Sequence, residues 1–151
     1  MKTFRFRLDP ALRWKATQVD FEKSKAAVAA QRVATLRAEA EARRKELKES
    51  AQYVVKGMTG SELESLAVWR DRMRRQIVAI ETQATEAGKA LAEQMKLLVE
   101  ANRKHQLLEN LRQTEQARWQ SAFTRELEAL ASEAFLGRLQ SKSGRARSSG
   151  G

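Results

Sequence analysis

The feature that most constrains this chain is a row of apolar residues at steps of seven: Leu12, Val19, Ala26, Val33, Ala40, Leu47 and Val54. Such a repeat draws one stripe along a supercoiling helix, and a strand, with its period of two, cannot use it. The companion row four residues on, Ala16, Lys23, Ala30, Arg37, Arg44 and Ala51, is half Ala and half basic, which predicts a narrow, closely packed seam. Leu8-Asp9-Pro10 reads as the start of this helix, with Asp9 capping free N–H groups and Pro10 at a position where its missing donor costs nothing. The first helix is therefore expected over residues 9–55, preceded by an arm over 1–8.

Gly57-Met58-Thr59-Gly60-Ser61 interrupts the pattern and predicts a turn over 56–61, with Ser61 and Glu64 forming a capping box for a second helix over 62–136. That helix carries its own 4-3 row: Leu66, Arg70, Met73, Ile77, Ile80, Ala84, Ala87, Leu91, Gln94, Leu98, Ala101, His105 and Leu108. The two rows are equally long, so folding at the turn sets Val54 against Leu66, Leu47 against Met73, Ala40 against Ile80 and Leu12 against Leu108. The expected fold is all-α: two long helices in an antiparallel coiled-coil hairpin about 65 Å long at about 1.5 Å per residue, the second helix the longer. Past Leu108 the apolar positions drift to Leu111, Trp119, Phe123, Leu127, Leu130 and Ala134, as after a stutter. Only Phe4, Phe6 and Leu8 of the arm remain to cover this overhang, so part of the stripe from Trp119 to Leu130 is expected to stay exposed and to seek a partner. Gly137 is expected to end the helix, and 137–151, made of Ser, Gly and Arg with few apolar residues, to form a disordered basic tail.

Composition narrows the alternatives. Ala, Glu, Lys, Leu and Arg supply 85 of the 151 residues, the make-up of long helices and coiled coils, and one Pro with 6% aromatics argues against a sheet fold or a compact globule. Cysteine is absent, which removes disulfides, thiolate metal sites and a cysteine nucleophile and points to a reducing compartment, the cytoplasm. The opening ten residues alternate basic and apolar and do not resemble a secretory signal, and no apolar run approaches the length of a membrane span. The net charge of +10 is concentrated at the ends, with +4 in residues 1–15 and +4 in 137–151. That distribution suits nucleic acid, an anionic membrane or an acidic protein, and charge alone does not separate them.

Catalytic and cofactor signatures are missing. Gly88-Lys89 is an isolated pair inside a helix without phosphate-loop spacing, so nucleotide hydrolysis by this chain is not expected. His105 reads as a polar interruption of the seam, and the Glu residues at helical spacing beside Arg and Lys read as a solvated ion-pair face. No cofactor, metal or small-molecule substrate is expected. Arg70, Arg72, Arg74 and Arg75 beside Trp69 form the densest basic cluster; they are either exposed arginines around a tip-covering Trp or a phosphate- and base-stacking patch.

The opening Met1-Lys2-Thr3-Phe4-Arg5-Phe6-Arg7-Leu8-Asp9-Pro10-Ala11-Leu12-Arg13 resembles that of the flagellar export protein FliJ family, whose members begin with alternating Phe and basic residues, then Leu, an acidic residue, Pro and Leu. The similarity extends over about residues 1–136 and includes Arg103-Lys104-His105-Gln106-Leu107-Leu108, where the family has a basic stretch followed by Leu. The resemblance implies a non-enzymatic component of the flagellar type III protein export apparatus, serving motility. It would be a stalk similar to that of rotary ATPases, inserting into the hexameric export ATPase (FliI-like) and linking it to the export gate (FlhA-like). The ATPase regulator (FliH-like) and export chaperones would be further partners, and the location would be cytoplasmic, peripheral to the inner face of the cell membrane at the flagellar base. Under this reading Phe4, Phe6, Leu8, Trp119, Phe123 and Leu127 are the candidate partner-binding residues at the pole holding both termini. The family's gate contacts resemble an apolar stripe early in the second helix, where Met73, Ile77 and Ile80 are taken up by the seam and Trp69 is left as the candidate. The competing functions are a basic coiled coil that binds nucleic acid or an anionic membrane, and a general scaffold or chaperone adaptor.

Overall fold

The structure, a computed structural model, describes residues 3–53 and 56–150. The fold is all-α: two helices pack against each other as a hairpin, with no strand among the described residues. α1 spans Asp9–Glu49, a short 3-10 helix spans Ser50–Tyr53, and α2 spans Gly60–Ser148. Val54, the last member of the first row, and its expected layer with Leu66 lie outside the described residues.

The helix ends differ from expectation in ways the local chemistry explains. The Leu8 carbonyl accepts the first helical bond, from Leu12 N–H at 2.9 Å, so Asp9 lies inside the first turn; its carboxylate pairs with Arg13 at 3.0 Å at the positive end of the helix dipole. α1 gives way to the 3-10 turn at Ser50, earlier than the expected end at residue 55. There the Ser50 hydroxyl donates to the Leu47 carbonyl at 2.5 Å and competes with the backbone ladder. Gly57 has φ of +102°, a left-handed conformation open to glycine. The cap of α2 is Thr59 rather than Ser61: its hydroxyl accepts from Glu62 N–H at 3.3 Å and its carbonyl from Leu63 N–H at 3.1 Å. Thr59 and Glu62 have the same S/T-x-x-E spacing as the expected pair, displaced by two residues. At the other end α2 does not stop at Gly137 but continues to Ser148, so residues 137–148 are helical rather than disordered. A mid-helix Gly costs about 1 kcal/mol relative to Ala and does not by itself end a helix.

The chain divides into two compact units, Lys15–Lys104 and Met1–Trp14 with His105–Gly151. In the first, Val33, Leu36 and Ala40 pack with Ile80, Ala84, Ala87 and Leu91. The antiparallel register is fixed by cross-helix bonds: Arg70 Nε donates to Ser50 Oγ at 3.1 Å, Arg43 Nη1 to Gln76 Oε1 at 2.8 Å, Gln94 Nε2 to the Glu22 carbonyl at 3.3 Å, and Arg44 pairs with Glu81. Numbers fall along α1 as they rise along α2, as a turn near residue 60 requires. In the second unit Phe6 and Leu12 are buried, and Leu108, Arg112, Glu115, Trp119 and Phe123 of α2 are half-buried.

The principal rows are as expected: Leu12, Val19, Ala26, Val33 and Ala40 are buried, Leu47 is half-buried, and each member of the α2 row from Leu66 to Leu108 is buried or half-buried. The companion row of α1 is three residues on, not four. Lys15, Glu22, Ala29, Leu36, Arg43 and Ser50 face inward; of the row four residues on, Ala16 is half-buried, whereas Lys23, Ala30, Arg37, Arg44 and Ala51 are exposed. Leu36 decides between the two: burying one Leu outweighs burying the small side chains of Ala30 and Ala51. Glu22, Arg43 and Ser50 are tolerated because each has a partner on α2. Likewise the drift does not begin at Leu111, which is exposed; Arg112 and Glu115 carry the 4-3 alternation on to Trp119, and the step of four to Phe123 is where it breaks.

Val33 is 4% exposed and Val28, on the same helix, 72%. Val33→Asp is expected to lower stability by about 3 kcal/mol, and Val28→Asp by less than about 0.5 kcal/mol, in denaturant melts followed by circular dichroism. Equal losses would refute the assigned register.

Candidate interaction surface

The arm is held to α2 by aromatic packing. The Asp9 N–H donates to the Phe6 carbonyl at 3.1 Å, closing a turn that buries Phe6 to 8% exposure. The Phe4 ring meets Trp119 at a centroid distance of 6.0 Å and a tilt of 51°, a favourable edge-oriented geometry. Trp119 in turn stacks on Phe123, one helical turn later, at 5.3 Å and 10°. Of the expected partner-binding residues, Phe6 is thus an internal anchor, and Phe4, Trp119 and Phe123 are half-covered by one another. Leu8 and Leu127 are open to solvent. Beyond Phe123 every residue to Gly150 is exposed, including Leu127, Leu130, Phe135, Leu136 and Leu139. On the face of α2 turned away from the stack, a shallow groove is lined by Thr114, Ala117, Arg118, Ser121, Ala122 and Arg125.

In the Lys15–Lys104 unit, Trp69 is 38% exposed, while Met73, Ile77 and Ile80 are buried against α1 and unable to serve a partner without opening the hairpin. The basic cluster around Trp69 is partly spent on structure: Arg70 is half-buried and bonds Ser50, and Arg75 pairs with Asp71 at 2.9 Å. This weakens the phosphate-binding reading of that cluster. His105 is half-buried in the row, as a polar interruption would be. Glu22, Glu39, Glu41, Glu86, Glu93, Glu100 and Glu109 form pairs three or four apart with Arg and Lys. The tightest is Glu100, whose carboxylate takes two bonds from Arg103 at 2.9 and 3.1 Å; the adjacent guanidinium holds its carboxyl below the usual range. Among the described residues no group of His, Asp and Glu is placed to hold a metal ion, and no helix is long and apolar enough to cross a membrane.

Two surface features were missed in the sequence. Trp14, Phe21 and Val28 are 61%, 58% and 72% exposed, and Lys25 lies over the Phe21 ring at 4.3 Å. Their own step of seven is legible, but it runs parallel to the stronger row from Leu12 and is masked by it. The apolar residues of the tail, Phe135, Leu136 and Leu139, acquire a common face only because the helix continues past Gly137.

In comparisons with known proteins, no family model, curated protein or solved structure matches this chain.

The aromatic latch has a measurable consequence. In a double-mutant cycle, Phe4→Ala and Trp119→Ala are expected to couple by about 0.5 to 1.5 kcal/mol in thermal or denaturant unfolding. Additive losses would mean that the arm does not dock on Trp119 in solution.

Proposed function

We propose that this protein is a non-enzymatic stalk of the flagellar type III export apparatus, inserting into a FliI-like hexameric ATPase, promoting its assembly and linking it to a FlhA-like gate. The observation that carries the reading is the exposed apolar continuation of α2, Leu127 and Leu130, directly after an arm-capped Trp119–Phe123 stack. A helix that outruns its intramolecular partner while still displaying Leu side chains has surface to spare for a second protein. The FliJ-like opening from Phe4 to Leu12 supplies the identity of that second protein, and the hairpin is the scaffold a stalk needs. Gate contact rests on Trp69 alone. A FliH-like regulator and export chaperones are further partners of the same reading, and the site of action is the cytoplasmic side of the flagellar base.

The apolar stripe, not the basic tail, makes the ATPase contact. Burying one large apolar side chain is worth about 1.5 to 3 kcal/mol, whereas exposed ion pairs contribute about 0 to 1 kcal/mol and are screened by salt. With the purified export ATPase of the same organism, the full chain is expected to raise turnover by favouring ring assembly. Leu127→Ser with Leu130→Ser, both exposed and so harmless to the hairpin, should weaken the apparent affinity by on the order of 100-fold. Deleting Ser141 to Gly151 should leave stimulation intact. An ATPase indifferent to the full chain over a complete titration would refute the stalk role.

A further inference from the structure

We propose that the last turns of α2, from Phe135 to Ser148, form an amphipathic helix that lies in the plane of an anionic lipid surface. At about 100° per residue, Phe135, Leu136, Leu139 and Ala146 fall within an arc of about 100° on this stretch of α2, an arc that Ser143 alone of the polar residues shares. Arg138, Lys142 and Arg145 line one flank of that arc and Arg147 the other, while Gly137, Ser141, Gly144 and Ser148 occupy the far side. Phe135, Leu136 and Leu139 are 62%, 57% and 48% exposed. No Asp or Glu follows Glu133, so the segment is purely cationic. An apolar sector bordered by cations, with small polar residues opposite, is the arrangement of an interfacial helix: the apolar side chains enter the acyl boundary and the Arg and Lys heads reach lipid phosphates at its edges.

The sector is bounded. Glu128 sets a carboxylate in the same arc two turns before Phe135, and no acidic residue enters that arc afterwards, so the lipid-facing stretch begins at Phe135. It is about 21 Å long at about 1.5 Å per residue, and it is not apolar enough to span; it lies on the surface. Charge complementarity selects anionic lipid over neutral lipid. The arc selects lipid over nucleic acid: a phosphate backbone would satisfy the cations and leave Leu136 and Leu139 in water, whereas a bilayer surface takes both. The inference does not rest on the stalk reading, since vesicle binding is measured without the ATPase.

The test is co-sedimentation of the full chain with vesicles of phosphatidylcholine containing one-third phosphatidylglycerol, against pure phosphatidylcholine. Binding is expected to be more than tenfold tighter to the anionic vesicles. The variant Arg138→Gln, Lys142→Gln, Arg145→Gln should lose on the order of 100-fold, about fivefold per cation near the surface. Phe135→Ser with Leu139→Ser should also weaken binding at least tenfold, and circular dichroism should show the hairpin intact in both, because all five side chains are exposed. Arg5→Gln with Arg7→Gln should bind as the unaltered chain does. Equal binding to neutral vesicles, an unchanged affinity in the Phe135 and Leu139 variant, or an equal loss from the Arg5 and Arg7 variant would each overturn the proposal. If the apolar variant is unaffected and the chain binds duplex DNA as tightly as vesicles, the segment is a simple polycation directed at nucleic acid.

Discussion

Everything else in this protein depends on a seam in which alanines are set among larger side chains. Ala26, Ala40 and Ala87 are buried to single-digit exposure, between larger neighbours at Val33, Leu36 and Ile80. Most of the apolar area buried in the seam comes from its Val, Leu, Met and Ile side chains, since alanines bury little each. They also leave the specificity of register to the polar members. Ser50 is nearly inaccessible; its hydroxyl donates to the Leu47 carbonyl and accepts from Arg70. A shift of register would strand that hydroxyl and the Arg70 guanidinium without partners, at the cost of burying unsatisfied polar groups. The polar interruptions of the two rows, which look like defects in a heptad count, therefore act as alignment marks.

Where the sequence was legible, it was legible through period. The rows from Leu12 to Ala40 and from Leu66 to Leu108 face inward as their spacing dictates, because period is a property of the helix itself. Choosing between a companion row at three or four residues on was harder. It depends on which flank meets the partner, and there the Ala content of the row from Ala16 to Ala51 misled, since one Leu at position 36 outweighs several alanines. Ends were the least legible. Thr59 and Ser61 both have an acidic residue three positions on, and only the backbone path shows which hydroxyl caps. Gly137 looked like a stop because glycine is frequent at helix ends, yet no left-handed turn or capping bond is made there, and the helix runs on. Of the interaction surface, the aromatic residues Phe4, Trp119 and Phe123 were visible in advance. Their packing on one another, which turns part of a docking surface into a latch, is a tertiary fact that spacing does not contain.

The stretch of α2 beyond Phe123 presents two different faces in succession. Leu127, Leu130 and Ala134 continue the stripe that begins at Trp119, while Phe135, Leu136 and Leu139 turn to another side of the helix and are attended by cations. Around the helix, Glu126 and Glu133 lie between the two faces on one side. One segment can therefore meet an apolar protein groove and a charged surface without the two contacts competing for the same side chains. The net basic charge of the C-terminal end would speed encounter with an anionic surface, and the exposed apolar residues would determine whether the encounter persists.

The glycines at 137 and 144 have a kinetic consequence. Both sit in the stretch of α2 past Phe123 where every side chain is exposed, each weakening it by about 1 kcal/mol relative to Ala. Such a segment carries only its own helix–coil equilibrium, which relaxes in about 0.1 to 1 μs, far faster than any opening of the packed hairpin. Amide hydrogens should accordingly exchange in a graded series, slowest around Val33 and Ile80 and fastest past Gly137. Whatever surface captures the end of α2 would be recorded as protection appearing where the free chain has none.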